Sequence, residues 1–286
     1  MLSSFLLSLA VAAVLIQVAV FSTTIYLHRC ATHKALAVHP AVEWLFKFAL
    51  WLTTGQCTRE WVAVHRKHHA FTDEHGDPHS PKLEGFWRVQ LGNVFYYMRE
   101  IKKTDVVARY ARDIKDGWWD RHVFNRGGLG LVVGTVALVL VVGPLIGVWW
   151  ALAAAAIHAV MYVFVLSSSI NGLCHHVGYR NFDNTATNIR FLALITGGEG
   201  LHNNHHGYPA QPEVQLPRQR DRSRVAADQG NDPAEAGEAL QDNRRDRHSP
   251  ERSLTHAVNR GARRARRAFE IYAPRSPRSL RLDGCC

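Results

Sequence analysis

The chain of 286 residues carries a formal net charge of +10 and five cysteines, and its length suits one large domain or two small ones. The cysteines form no CxxC pair and no even-numbered framework, which argues against a zinc ribbon and against a disulfide-stapled secreted domain. Histidine is the enriched ligand type, with 17 residues that cluster. Imidazole-rich sites favour iron, copper or zinc over calcium or magnesium.

The first predicted element is a transmembrane helix over residues 1–27. The run from Leu2 to Leu27 is apolar and uncharged, and about 20 such residues cross a bilayer. The alternative is a cleaved signal peptide, but the segment has no basic start and exceeds the roughly 7–15 apolar residues of a signal-peptide core. We therefore expect a membrane span.

Residues 28–127 follow as a predicted cytosolic region with two histidine clusters. His28 and His33 are spaced i, i+5, so they do not share a face of a regular helix and could converge only where the helix ends or unwinds. Residues 41–57 are apolar but short, and they include Glu43 and Lys47. A span here would put the two clusters on opposite sides of the membrane, so we predict an amphipathic helix at the interface or packed on the cytosolic side.

The second cluster, HRKHH, places His65, His68 and His69 at i, i+3 and i+4. These positions share one helix face, so the three imidazoles can converge on one point. The segment DPHSP then breaks the helix. His75 and His79 lie nearby, either as supporting partners of the ligands or, as we favour, as polar loop residues. Residues 82–126 are aromatic and charged, and we interpret them as a soluble helical region.

Residues 128–170 predict a transmembrane hairpin, because they are apolar apart from a break around Gly143, Pro144 and Gly147. His158 falls in the second span. We interpret it as a neutral side chain bonded to a neighbouring helix and do not assign it to a site. One span and a hairpin return the chain to the side of the first two clusters, and the excess of lysine and arginine between residues 29 and 126 makes that side cytoplasmic.

Residues 171–209 form a predicted cytosolic segment with the third cluster. Asn171 and His175 are spaced i, i+4, whereas His176 points about 100° away from His175 on a helix. The stretch GGEGLHNNHHGYP repeats the spacing of the second cluster. Its three histidines, at i, i+3 and i+4, are His202, His205 and His206.

In order and spacing, four motifs resemble the membrane fatty-acid desaturases, specifically the acyl-CoA delta-9 (stearoyl-CoA) type in its bacterial branch. They lie within residues 27–209 and read HRCATH, HRKHH with EW before and DPH after, NGLCHHVGYR, and GGEGLHNNHHGYP. The resemblance implies an all-α integral membrane protein, whose transmembrane helices carry a cytosolic helical cap with a histidine-rich di-iron site.

The resemblance also implies the site residues. The nine iron ligands would be His28, His33, His65, His68, His69, His175, His202, His205 and His206. Asn171 matches the position that holds a metal-bound water in the family, and no catalytic residue is implied beyond the ligands. His176 has no ligand counterpart.

The activity implied by the resemblance is oxygen-dependent insertion of a cis double bond, at delta-9, into a saturated acyl chain during unsaturated fatty acid biosynthesis. The substrate would be a fatty acyl-CoA or acyl-lipid whose tail lies in an apolar tunnel. Two electrons would come from NAD(P)H through a ferredoxin, rubredoxin or cytochrome b5-like donor. The protein would lie in the bacterial inner (cytoplasmic) membrane, with its active site on the cytoplasmic side.

Three alternatives stay open at this stage. A fatty acyl or lipid hydroxylase could use the same iron site. A membrane metal-binding or transport protein would place its ligands within the spans, whereas these clusters lie just outside the apolar runs. A nucleic-acid binder is supported only by the arginine-rich tail.

The tail, residues 210–286, is basic and departs from the family after Pro209. Its composition, rich in Arg, Asp, Ala and Pro, predicts disorder. With suitable codons read one base later, QPEVQLPRQRDR can give an aromatic and basic segment of the kind the family continues with. We hypothesise a frameshift near residue 210, which unshifted codons in the nucleotide sequence would contradict. If the tail is genuine, the segment that closes the site is missing.

Overall fold

The computed structural model describes residues 1–211, so the predictions for the tail and its reading frame lie almost wholly outside the described residues. Within this part the chain is helical and has no β-strand. Asn188 makes two isolated bridges, to Tyr179 and Leu201. The α-helices are α1 Leu2–Phe21, α2 Pro40–Thr53, α3 Thr58–Phe71, α4 Pro81–Glu84, α5 Phe86–Ile101, α6 Thr104–Tyr110, α7 Gly127–Ile146, α8 Val148–Val160, α9 Ser168–Asn171, α10 Arg190–Ile195 and α11 His202–Gly207.

Three helical stretches of the described chain are long and apolar enough to cross a membrane: Leu2–Thr32, Gly127–Ile146 and Val148–His175. The first and last consist of α1 and α8 continued by irregular helix. The first runs past residue 27, where the sequence placed its end. The hairpin turns at Gly147, whose φ of 96° suits glycine, and α7 continues through Pro144. The predicted all-α membrane fold is thus confirmed for the described residues.

The end of the first span widens into a π-helix, Ser22–Thr32. The backbone N–H of His33 accordingly donates to the carbonyl of His28, at 3.1 Å. We expected these two histidines to converge only where the helix ends or unwinds. Instead, the wider turn brings residues i and i+5 to one side, and the two ring centroids lie 4.8 Å apart. Such π-helical insertions are frequent at functional sites.

Helix α2 has 14 residues, which is shorter than the predicted segment 41–57 and too short to span a bilayer. Its charged residues are neutralised locally, since Lys47 Nζ lies 2.9 Å from Glu43 and 3.1 Å from Asp120. The indole N–H of Trp51 donates to the carbonyl of Arg126 at 3.0 Å. These contacts hold α2 beside the start of α7.

The close approach of α2 and α7 depends on glycine, and this gives a first testable prediction. A Cβ on Gly130 would lie 2.2 Å from the carbonyl oxygen of Trp51, so Gly130→Ala is expected to force the helices apart and destabilise the protein by about 1–3 kcal/mol. The measurement is thermal unfolding in detergent. The control is Gly128→Ala, because a Cβ there meets nothing within 4 Å. Equal melting temperatures for both variants would contradict the prediction.

Helix α5 lies within residues 82–126, which the sequence predicts to be a soluble helical region. Trp87, Leu91 and Phe95 form an exposed apolar row at i, i+4 and i+8, with Phe95 69% exposed. A row of this kind is typical of a helix lying against lipid. The helix packs on the π-helical continuation of α8, Met161–Ser167. Gln90 of α5 donates its amide N–H to the Ser169 hydroxyl of α9, at 3.3 Å.

His158 behaves as the sequence predicted. Its Nε2–H donates to the carbonyl of Thr53 at 2.8 Å, so this buried histidine of α8 satisfies the last turn of α2. It lies in neither of the large histidine groups described below.

Candidate metal centre

The structure brings all nine singled-out histidines together, in two groups. Within each group the candidate ligand atoms lie within 4.8 Å of one another. The five-histidine group contains His28, His33, His65, His69 and His205. The four-histidine group contains His68, His175, His202 and His206.

Helices α3 and α11 each contribute to both groups. In α3, His65 and His69 enter the five-histidine group while His68 enters the other. In α11, His205 joins the five-histidine group, whereas His202 and His206 join the other. The spacing predicted that the three imidazoles of each cluster converge on one point. They divide instead, because i+3 and i+4 lie on either side of the helix face that packs against the other helix.

The nitrogen contacts in the five-histidine group are too many for hydrogen bonding. The Nε2 atom of His205 lies 2.9 Å from that of His69 and 3.0 Å from that of His28. The Nε2 atom of His65 likewise lies 3.0 Å from His69 and 3.1 Å from His33. A neutral imidazole nitrogen has one proton or one lone pair, so it cannot fully satisfy two such contacts. Nitrogens bound at about 2.0–2.1 Å to one metal ion lie about 3 Å apart, as observed.

Three carboxylates hold the opposite sides of the rings. The oxygen-to-Nδ1 distances are 2.8 Å from Glu199 to His28, 3.0 Å from Asp77 to His68, and 3.0 Å from Asp73 to His175. An ionised carboxylate can only accept hydrogen bonds, so each Nδ1 carries the hydrogen and, in the neutral ring, each Nε2 presents a lone pair. The Nε2 atoms of His68 and His175 are buried with no hydrogen-bond partner among the described residues. This carboxylate–histidine pairing is the arrangement that orients metal ligands, so the donor set fits a metal.

Electrostatics keep Asp73 and Asp77 ionised and favour the neutral ring at several candidate ligands, whereas Asp77 outweighs burial and raises the pKa of His68. Burial opposes ionisation of Asp77, but the charge and hydrogen bond of His68 outweigh it and bring the pKa of Asp77 to about 2. Burial likewise opposes ionisation of Asp73, and the hydrogen bond from His175 lowers its pKa well below the usual value. Burial also lowers the pKa of His65 well below its usual range, which leaves the neutral imidazole that a metal requires.

The other histidines near the clusters, which are not among the nine candidate ligands, lie in different environments. His75 is exposed, as the loop interpretation expects. His79 is buried and stacks on His68, with ring centroids 4.7 Å apart, so it supports a candidate ligand. His176 stacks on Phe86 at 4.7 Å and is in neither group. Asn171 lies beside the centre, where its Nδ2–H donates to Asn93 Oδ1 at 3.1 Å.

The carboxylates Asp73, Asp77 and Glu199 are the functional residues that sequence reasoning missed. A signal was available. A buried ligand histidine needs an acceptor for its second ring N–H, and acidic residues stand in the loop after the second cluster and directly before the third. Trp61 was missed as well, and it stacks on His65 with centroids 4.7 Å apart.

A cavity of about 550 Å³ reaches the centre. His28, His65 and Asn171 lie in its wall, and so do apolar side chains such as Val64 and Leu166. The candidate ligands therefore face a partly open cavity whose surface is largely apolar.

A helical chain with three candidate membrane spans and two clustered histidine groups is typical of a membrane protein with a candidate metal centre. The profile of the family described as Fatty acid desaturase matches residues 4–234. The chain belongs to the fatty acid desaturase family, which confirms the resemblance seen in the motifs. The match extends past Pro209, where the motif resemblance ended.

Curated relatives agree with this membership. The chain is 33% identical over 187 residues to the sn-1 stearoyl-lipid 9-desaturase of Synechocystis sp., covering 65% of this chain and 56% of the relative. It is 32% identical over 210 residues to the Acyl-CoA 5-desaturase AL21 of Anemone leveillei, covering 72% and 62%. It is 32% identical over 187 residues to the Delta-9 acyl-lipid desaturase 2 of Arabidopsis thaliana, covering 65% and 59%. The matched region is thus less than two thirds of each relative's length.

Proposed function

We propose that this chain is a membrane-bound fatty acyl desaturase that uses two irons, dioxygen and two electrons to insert a cis double bond into a saturated acyl chain. The observation that carries the proposal is the pair of all-imidazole groups, built on the shared helices α3 and α11 and set in the wall of an apolar cavity. Iron with dioxygen supplies the oxidising strength that breaking an unactivated C–H bond requires.

The residues of this chain would hold the irons, orient the ligand rings and shield the reacting carbons from water. The nine histidines would hold the two irons, and the three carboxylates would fix the orientation of their rings. Asn171, whose amide is oriented by Asn93, would accept a hydrogen bond from a metal-bound water through Oδ1. The cavity would take the acyl tail, with apolar walls that exclude water from the reacting carbons. We propose delta-9 as the position, because two of the three relatives above are named for it.

The topology supports a site on one side of the membrane. His28 lies near the end of the first candidate span, and His175 ends the third. The lysine and arginine excess between residues 29 and 126 favours the cytoplasmic side, in the inner membrane of a bacterium. An electron donor of the ferredoxin, rubredoxin or cytochrome b5-like kind would deliver electrons from NAD(P)H there.

The test is the fatty-acid profile of a desaturase-deficient bacterial host that expresses the chain. Two forms are compared: the chain as given, and one with its nucleotide sequence shifted by one base near codon 210. A new cis double bond in either form is expected, and its appearance only in the shifted form would support the frameshift hypothesis. Iron-loaded, membrane-inserted protein without a new double bond would contradict the proposal. A hydroxylated product would identify the hydroxylase alternative instead.

A further inference from the structure

Away from the histidines, several polar side chains that belong to neither histidine group line the cavity. Tyr97 of α5 and Glu60 of α3 both line it. The hydroxyl oxygen of Tyr97 is buried and has no hydrogen-bond partner among the described residues. A buried hydroxyl without a partner is costly, so this group is suited to a ligand that enters the cavity.

Glu60 is a neighbour of Tyr97. Burial raises the pKa of Tyr97 well above its usual value, and the carboxyl of Glu60 is the next largest cause. In the described part of the chain, no lysine or arginine forms an ion pair with Glu60. Burial raises the pKa of Glu60 as well. The Tyr97 hydroxyl can donate a hydrogen bond to a ligand, and Glu60, whose carboxylate accepts from the Cys57 thiol, can donate one in its protonated form.

The rest of the lining defines the charge of the ligand. None of the described residues that line the cavity is a lysine or an arginine. An anionic group, such as a phosphate or a free carboxylate, would find no cation there. A neutral acceptor, such as the carbonyl oxygen of an ester or thioester, suits two donors in a wall whose described residues include no lysine or arginine.

Position along the helices adds a second constraint. Glu60 precedes the candidate ligand His65 by five residues, roughly 7.5 Å along α3. Tyr97 follows Asn93, the partner of Asn171 at the centre, by four residues, roughly 6 Å along α5. The two polar groups therefore lie on two separate helices, each within about one and a half helical turns of a residue at or next to the centre.

We propose that Tyr97 and Glu60 bind the carbonyl oxygen of an acyl ester or thioester, and thereby fix which carbons of the chain lie at the metal centre. The inference rests on the proposed desaturase function and adds a site to it. The carbonyl is shared by acyl-CoA and acyl-lipid, so both sources can use the pair. A chain held at its carbonyl end presents the same carbons whatever its length.

The test is Tyr97→Phe in the purified, metal-loaded protein. Its matched control is Tyr96→Phe, because the Tyr96 hydroxyl bonds Glu84 at 3.2 Å and Tyr96 is not part of the cavity wall. With palmitoyl-CoA and with a palmitoyl glycerolipid as separate substrates, Tyr97→Phe is expected to raise KM by about tenfold. It is also expected to spread the double bond over several positions. The substrate that shows the effect is the one that uses the site.

A binding measurement keeps this inference separate from the proposed activity. Wild-type protein should bind ethyl palmitate about tenfold more tightly than the chain-matched ether, which lacks the carbonyl. Tyr97→Phe should lose that preference, and Tyr96→Phe should retain it. If the wild type shows this preference but no turnover, the proposed desaturase activity is contradicted and the proposed carbonyl site is supported. Equal affinity of the wild type for ester and ether would overturn the inference. So would a Tyr97→Phe variant that keeps the wild-type preference for the ester.

Discussion

Replacing His205 with alanine is expected to strip iron from the five-histidine group and to abolish double-bond formation. Its Nε2 atom lies within 3.0 Å of the Nε2 atoms of both His28 and His69, so it occupies a central place among the ligand atoms. Loss of a metal ion removes several kcal/mol of transition-state stabilisation, which corresponds to about a thousandfold or more in rate. The measurements are iron content per chain and product yield in isolated membranes.

A second variant and a control sharpen this prediction. His202→Ala should strip the four-histidine group while the five-histidine group keeps its iron, because the two residues belong to different groups. His176→Ala should change neither iron content nor yield, since His176 stacks on Phe86 and lies in neither group. Full iron content in His205→Ala, or an equal loss in His176→Ala, would count against the assignment of ligands.

The sequence was most informative where candidate ligand residues recur at short, helical spacing. The clusters around His65 and His202 stand at helical spacing, and the family resemblance added His28, His33 and His175, which spacing alone left weak. All nine residues prove to be neighbours. The long apolar runs also predicted the candidate spans, because the uninterrupted apolar length that crosses a bilayer is visible in a single segment.

What the sequence could not supply depends on how separate elements pack. The division of each cluster between two groups follows from the juxtaposition of α3 and α11, which no single motif encodes. The π-helix that turns His28 and His33 to one side is a local change of helical period, and the residue pattern did not predict it. The burial of His79 against His68 likewise arises from the path of a loop. The composition of that loop favoured an exposed histidine, so the sequence did not predict this contact.

Replacing Asp73 with asparagine is expected to lower the affinity for iron, or the activity, by about 10- to 100-fold. The Asp73 carboxylate accepts from His175 Nδ1 at 3.0 Å. It thereby holds the proton on that nitrogen and leaves Nε2 as the donor atom. An amide keeps the shape but removes the negative charge that balances the metal. Iron affinity is measured by competition with a chelator.

Asparagine is the substitution that isolates this charge. Asp73 has a φ of 57°, a conformation that Asn and Asp adopt more readily than most residues, so Asp73→Asn adds no backbone strain. Asp73→Ala would mix strain with loss of the carboxylate. Asp183→Asn, at an exposed position, is the control for the charge change alone. If Asp73→Asn binds iron as tightly as Asp183→Asn does, the carboxylate does not hold His175 in its binding orientation, and the four-histidine group depends on packing alone.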